Sequence, residues 1–393
     1  MATNTRSSRS KRARKRDRAA KEGAAQDGHA KKQEGWRETV RFYVIAIAVI
    51  LFIRTFFFTP FRIPTPSMED SLLVGDFLIV SKIGYGARTP NTIGVPFTNI
   101  YLPGIEFPQA RLPGLGGVER GDIVVFNYPP SSTDDPRFGT PAGTPIERRH
   151  PYVKRVLGLP GDTIAVVDKL VYVNGEAYPL EDGQQHNWLV ELAPGGRVGA
   201  ATLDDLGLEP VEAFMMEQLY GQARTDSTFG VNGSSEEAAE LVALPAVEAV
   251  TPLVIPDDRG ESIFPRSRTQ RGQAGVNRDN VPPLPIPKAG ATVPLNRETW
   301  PYYRAIVNRY EGHTARLLAD GTVEVDGTVQ PTYTFEQDYY VGIGDNRDNS
   351  EDSRFWGFVP HDHVIGEVKL VFLSFDTERF FLPRVTRTFR PVR

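Results

Sequence analysis

No cysteine occurs in the 393 residues of this chain. Disulfides, thiolate zinc sites, iron–sulfur clusters and a cysteine nucleophile are therefore excluded, and a domain exported from the cytoplasm must rest on core burial alone. Histidine is scarce too. The six present, among them His150, His361 and His363, fall in no recognisable triad motif, so a hydroxyl nucleophile would need another base, with His150 and His361 the weaker alternatives. Long apolar runs are equally rare. The run Phe42–Ile53, FYVIAIAVILFI, is uninterrupted for twelve residues, which by itself is closer to a signal-peptide core than to a membrane span.

What surrounds that run decides its meaning. Residues 1–35 carry eleven Lys or Arg against four acids although the whole chain has a net charge of -4. Such a polar arm buries too little to offset its ordering entropy and is expected to be disordered. A helix continued through Arg54 and Thr55 to Phe58 is about 26 Å long, and Arg41 and Arg54 can reach opposite interfaces. Phe56-Phe57-Phe58-Thr59-Pro60 is bulky and offers no small-x-small cleavage site, so residues 37–58 are expected to stay as a transmembrane anchor. The basic arm then lies in the cytoplasm and the remainder outside it.

At 393 residues with 40% hydrophobic content, the chain can hold one large domain or two ordinary ones besides its tails. In Ile63–Lys82, IPTPSMEDSLLVGDFLIVSK, Pro64 and Pro66 hold their neighbours extended and should display Ser67 at the end of a stiff strand. Gly75-Asp76 marks a turn, and Phe77–Val80 a strand. Ile123–Phe126 and Tyr152–Leu157 read as further strands. In the second, Lys154 shares a face with Tyr152 and Val156, and Arg155 shares the other with Val153 and Leu157, so one cation should face the interior unless both guard an edge. Asn174-Gly175 signals a hairpin. From Pro179 the composition turns irregular. Residues 179–319 are expected to be a partly disordered insertion that carries none of the chemistry, with Leu203–Tyr220 partly helical, Asp257–Pro287 without clean strand alternation, and Asn296–Tyr310 one short helix. The sheet resumes at Thr322–Gly327 and Tyr339–Ile343, runs into the polar stretch Gly344–Ser350 and Glu351–Arg354, and closes with Gly366–Phe375. So many Asp, Asn and Arg side chains in one corner must pair with each other and with backbone groups.

PTPSMEDSLLVGD, RGDIVVF, YVKRVLGLPGD and GDNRDNSEDSRFWGFVP, in this order after an apolar anchor, resemble the sequence boxes of the bacterial type I signal peptidases, the Ser/Lys leader peptidases. The likeness covers residues 59–178 and 320–375, and Ile286–Gly312 more loosely resembles the long-insertion branch. The resemblance implies Ser67 as nucleophile and Lys154 as general base. It implies an oxyanion hole from the Ser67 N–H and the Thr65 hydroxyl, and Ser350 orienting the lysine. Arg155, Asp345, Arg347, Asp352 and Arg354 match the polar corner. Phe61, Ile63, Met68, Leu72, Tyr152 and Val153 fall where pocket residues lie. Asp70 and Ser71 depart from the proline and threonine common there.

The chemistry agrees with that resemblance. Lysine serves as a base only when neutral, so its pKa must fall by several units from about 10.4, which desolvation on an apolar sheet can supply. The architecture expected is mainly β, an antiparallel-sheet catalytic core split by the insertion and followed by a basic tail, residues 376–393, suited to an anionic membrane surface. The resemblance implies no metal or cofactor and no nucleic-acid partner. It implies preproteins cut after small side chains, a position in the bacterial inner membrane near the secretion translocon, and a periplasmic active domain. A soluble Ser/Lys self-cleaving repressor-type protease is disfavoured by the anchor, and a non-catalytic tethered peptide-binding or assembly module by the intact Ser67 and Lys154.

Overall fold

The computed structural model describes residues 36–69, 71–94, 101–130, 140–141, 143–179, 183–261, 263–265, 276–377 and 381–392. The basic arm 1–35 and Asp70 lie outside this set. Two units are distinguished, one ending at Thr55 and the other beginning at Phe56.

Trp36–Phe56, all but its last residue in the first unit, is one helix of 21 residues, long and apolar enough to cross a membrane. At 1.5 Å per residue it measures about 31 Å, a bilayer's hydrocarbon thickness. It ends before Phe58, which already belongs to the next unit's first strand and pairs with Ser81.

The second unit is mainly antiparallel β, as the sequence implies. Its largest sheet has nine strands among the described residues, seven of them in the order Phe58–Arg62, Asp76–Ser81, Val364–Asp376, Ile123–Asn127, Pro151–Gly158, Tyr339–Ile343, Val359–Pro360. Leu382–Pro383 and Arg390–Pro391 return along Val364–Asp376. The central strands are covered on both faces. Every residue of Ile123–Asn127 is buried, Ile123 and Val125 packing with Met68, Leu72 and Val368, and Val124 and Phe126 packing with Val156, Tyr340 and Val364 on the other side. This explains why neither cation of Pro151–Gly158 guards an edge: with strands on both sides and apolar layers on both faces, Lys154 and Arg155 are both buried.

A four-stranded sheet, ordered Val281–Pro285, Thr163–Val167, Leu170–Val173, Glu176–Tyr178, extends this core. Its hairpins turn on Asp168-Lys169 and Asn174-Gly175, all four at positive φ, the conformation that suits the twist of a two-residue β-turn. Val281–Pro285 is a strand within the stretch that has no clean strand alternation. Its prolines are tolerated because the strand is the sheet's edge and its register shifts between Val281 and Leu284. Trp300–Ala305 is helical and continues as a wide turn over Ile306–Tyr310, so the expected helix is shorter and looser.

Residues 183–261 carry a second four-stranded sheet, with Gln185–Leu192 between Thr228–Ser234 and Val247–Pro252, over a core that includes Val190, Leu203, Val231 and Leu241. Its helix Ser235–Val242 starts from a capping box in which Ser234 and Glu237 each satisfy the other's backbone N–H.

Candidate active site

Ser67 lies five residues beyond the end of the Phe58–Arg62 strand, inside the single 3-10 turn Pro66–Met68. Local chemistry explains this departure from the strand-end expectation. Thr65 is extended at the N-cap, and Pro66 takes the first helical position, where its fixed φ suits the turn and its missing N–H costs nothing. Hydrogen bonds between Ile63 and Asp76 (2.9 Å) and between Gly75 and Ile63 (3.0 Å) close the base of the loop. Gly75 is obligatory there: its φ is +96°, and a Cβ would lie 2.1 Å from the Phe375 carbonyl oxygen. Met68 and Leu72 are buried beneath and fasten the turn to the core.

The Lys154 ammonium donates to the Ser67 hydroxyl across 2.6 Å. Only 2% of Lys154 is exposed. Burial brings its pKa down to about 8, against the opposing pull of the Asp352 and Asp345 carboxylates. Its ammonium also lies 5.8 Å from the Tyr152 ring centre, and that ring stacks on Tyr128 and meets Trp356 edge-on. Thr65 is exposed, and its hydroxyl makes no capping bond. Ser350 is buried beside them. Gly344 permits this approach, since a Cβ on it would come within 2.5 Å of both the Ser350 Cβ and the Ser67 carbonyl oxygen. The Ser350 hydroxyl has no hydrogen-bond partner among the described residues.

The polar corner assembles as paired forks. Arg155 clasps Asp345 through Nε and Nη2, both at 2.9 Å, and donates to the Gly121 carbonyl at 2.8 Å. Asp352 clasps Arg354 at 2.9 and 2.8 Å while accepting the Gly344 N–H. Burial alone would raise the Asp352 pKa, but the Arg354 charge and these bonds outweigh it and leave the carboxyl below its usual range. Arg354 donates to the Arg347 carbonyl at 2.5 Å, and Arg347 donates to the Gln184 side chain at 2.7 Å. Ser71, one of the two departures in the first box, donates to Asp345 at 2.6 Å and so ties the Ser67 loop to the corner. Asn346 was not singled out from the sequence; its backbone N–H donates to the Ser67 carbonyl at 3.2 Å.

Of the expected pocket residues, Ile63, Met68 and Leu72 are buried in one apolar cluster, with Phe61 and Val153 half-exposed against it. Tyr152 belongs to the opposite cluster, as strand alternation requires.

The family model described as signal peptidase, peptidase S26, matches residues 36–219 and 301–373, more than half the chain, including Ser67, Lys154, Ser350 and the polar corner. The chain belongs to the S26 family of signal peptidases. Its relatives agree. The signal peptidase I of Buchnera aphidicola from Acyrthosiphon pisum is 24% identical over 335 residues, 85% of this chain and 74% of that protein. The signal peptidase I of Pseudomonas aeruginosa is 36% identical over 131 residues, 33% of this chain and 34% of that protein. That of Rickettsia akari is 31% identical over 198 residues, 48% of this chain and 62% of that protein.

The stretch 179–319, which is not expected to carry the chemistry, reaches the polar corner through its strand Gln185–Leu192: Gln185 N–H donates to the Asp345 carbonyl at 2.9 Å and its carbonyl accepts from Arg347 N–H at 2.8 Å. Asp348 is held from the same stretch by the Asn187 N–H and the Tyr220 hydroxyl, and from the Asp168-Lys169 hairpin by the Lys169 ammonium. Composition showed an irregular stretch and could not show which backbone groups it would satisfy.

Proposed function

We propose that this signal peptidase removes signal peptides from exported preproteins with Ser67 as nucleophile and Lys154 as general base. The observation that carries the reading is the 2.6 Å bond between a buried lysine and a serine hydroxyl on a fixed turn. With a pKa of about 8, about a tenth of Lys154 is neutral at pH 7. Neutral Nζ takes the Ser67 proton as Oγ attacks the scissile carbonyl. The oxyanion that forms is held by the Ser67 N–H and the Thr65 hydroxyl. The ammonium then returns the proton to the leaving amine, which departs as the mature protein's N-terminus. An acyl ester remains on Ser67. Lys154 next deprotonates a water, which attacks the ester and frees the signal peptide's carboxylate. Ser350, buried with an unengaged hydroxyl, is the group available to aim the lysine between these steps.

The preprotein is bound as an added strand. Phe58–Arg62 stands at the end of the sheet order, so an extended peptide gains backbone bonds along it. Side chains directed inward meet Phe61 and Val153 above Ile63, Met68 and Leu72, a shallow apolar surface suited to small residues such as alanine. Trp36–Phe56 anchors the enzyme in the bacterial inner membrane with the arm inside and the peptidase unit on the periplasmic face, close to the translocon and to lipid.

Depletion of a bacterium's own signal peptidase, with this chain expressed in its place, tests activity and topology together. Preproteins should mature, and protease added to spheroplasts should digest the unit from Phe56 onward and leave new precursors uncut. Protection of that unit, or persistent precursor before protease is added, contradicts the reading.

A further inference from the structure

We propose that Gln185 and Asn232, both in the inserted sheet, are positioning residues for the nucleophile, acting through Asn346. The proposal rests on Ser67 being the nucleophile. Asn346 donates its backbone N–H to the Ser67 carbonyl at 3.2 Å, and its side-chain amide is gripped at both ends from the insertion. Its Nδ2 donates to the Gln185 Oε1 at 3.1 Å, and its Oδ1 accepts from the Asn232 Nδ2 at 3.3 Å. Asn232 is itself placed by a 2.8 Å bond to the Asn187 Oδ1, and Asn187 donates onward to the Tyr220 hydroxyl. The two insertion strands are paired with Asn187 opposite Asn232, so the sheet's register sets where Asn346 sits.

The contact is built rather than incidental. Asn346 is 1% exposed, where an amide without partners is costly, and here its side-chain oxygen and nitrogen are both used. Gln185 and Asn346 also form a parallel bridge, so the insertion and the 345–348 segment share backbone bonds as well as side-chain ones. Chemistry at Ser67 depends on placing Oγ within a few tenths of an ångström of the attack line, because small misplacements are amplified in rate. The inserted sheet therefore serves as the outer wall of the loop that holds the nucleophile.

Isosteric substitutions in the full chain test this. Gln185→Met removes the acceptor for Asn346, whereas Gln185→Glu keeps an oxygen there. Asn232→Leu removes the donor. With a short peptide substrate, Gln185→Met and Asn232→Leu are each expected to lower kcat about 5- to 10-fold, the worth of one hydrogen bond. KM and the midpoint of the pH profile should stay at the wild-type values, and Gln185→Glu should keep most of the activity. On an Asn346→Ala background the Gln185→Met change should have no further effect, since its path to Ser67 is gone. Wild-type kcat in folded Gln185→Met, equal losses in Gln185→Met and Gln185→Glu, or a full additional loss on the Asn346→Ala background would overturn the proposal. If Asn232→Leu fails to fold, the Gln185 pair alone decides. Failure of the Ser67 assignment shows separately, as cleavage by folded Ser67→Ala protein.

Discussion

Lys154→Arg protein is expected to fold and to cleave nothing. Arginine keeps the charge and roughly the length, but its guanidinium stays protonated above pH 12 and cannot accept the Ser67 proton. General-base catalysis contributes typically 10²- to 10⁴-fold, and the attacking hydroxyl is lost as a nucleophile along with its base, so turnover on a preprotein should fall by at least about 10³-fold. Ser67→Ala should fall as far, and the double variant no further, because the two groups act as one unit. Replacement of any of the six histidines should leave the dyad chemistry in place. His363 illustrates why: it is buried with Nδ1 against Asp362 at 2.6 Å and Nε2 against Arg149, both ring nitrogens engaged within the fold. Turnover by folded Lys154→Arg near the wild-type rate would remove lysine from the mechanism.

Arg155→Ala should have the largest effect on stability. The Arg155–Asp345 fork is 3% and 1% exposed at its side chains, and removing one partner leaves a buried carboxylate without its counter-charge, a loss of about 3–5 kcal/mol. Arg155 also donates to the Ser71 hydroxyl at 3.3 Å, so its loss loosens the corner's tie to the nucleophile loop as well. Asp345 also accepts from Ser71 on the nucleophile loop and its backbone carbonyl accepts from Gln185, and Arg155 also serves the Gly121 carbonyl. Urea denaturation of the detergent-solubilised protein should show the midpoint shifted accordingly. A shift worth less than about 1 kcal/mol would mean that the corner is not a mainstay of the fold.

How much of this was legible in the sequence depends on the range of the interaction. Local chemistry was readable: the Asn174-Gly175 hairpin, the apolar helix, the alternation that separates Tyr152 from Val153, and the strand pattern from Ile123 onward follow from neighbours a few residues away. The corner was legible as a demand for pairing, since Asp345, Arg347, Asp352 and Arg354 stand within ten residues of one another. Which partner each found was not. Ser71 meets Asp345 across 274 positions and Asn232 meets Asn346 across 114, and no period or propensity encodes such a pairing. The insertion's sheet was not legible for a related reason. Its turns are rich in Gly and Pro, so it lacks long alternation, yet Val190, Val231 and Leu241 close a core once the strands are brought together. Its Ser234–Glu237 capping box was a readable helix start that the overall irregularity obscured.

The pH dependence of kcat/KM on a peptide without titrating groups tests the central claim most directly. If the free enzyme must hold Lys154 neutral, kcat/KM rises about tenfold per pH unit on the acid side and levels off above the lysine's pKa. The midpoint should lie near pH 8, where burial places the ammonium. A profile flat from pH 6 to 9, or a midpoint near 6.5 that disappears when one histidine is replaced, would contradict Lys154 as the base.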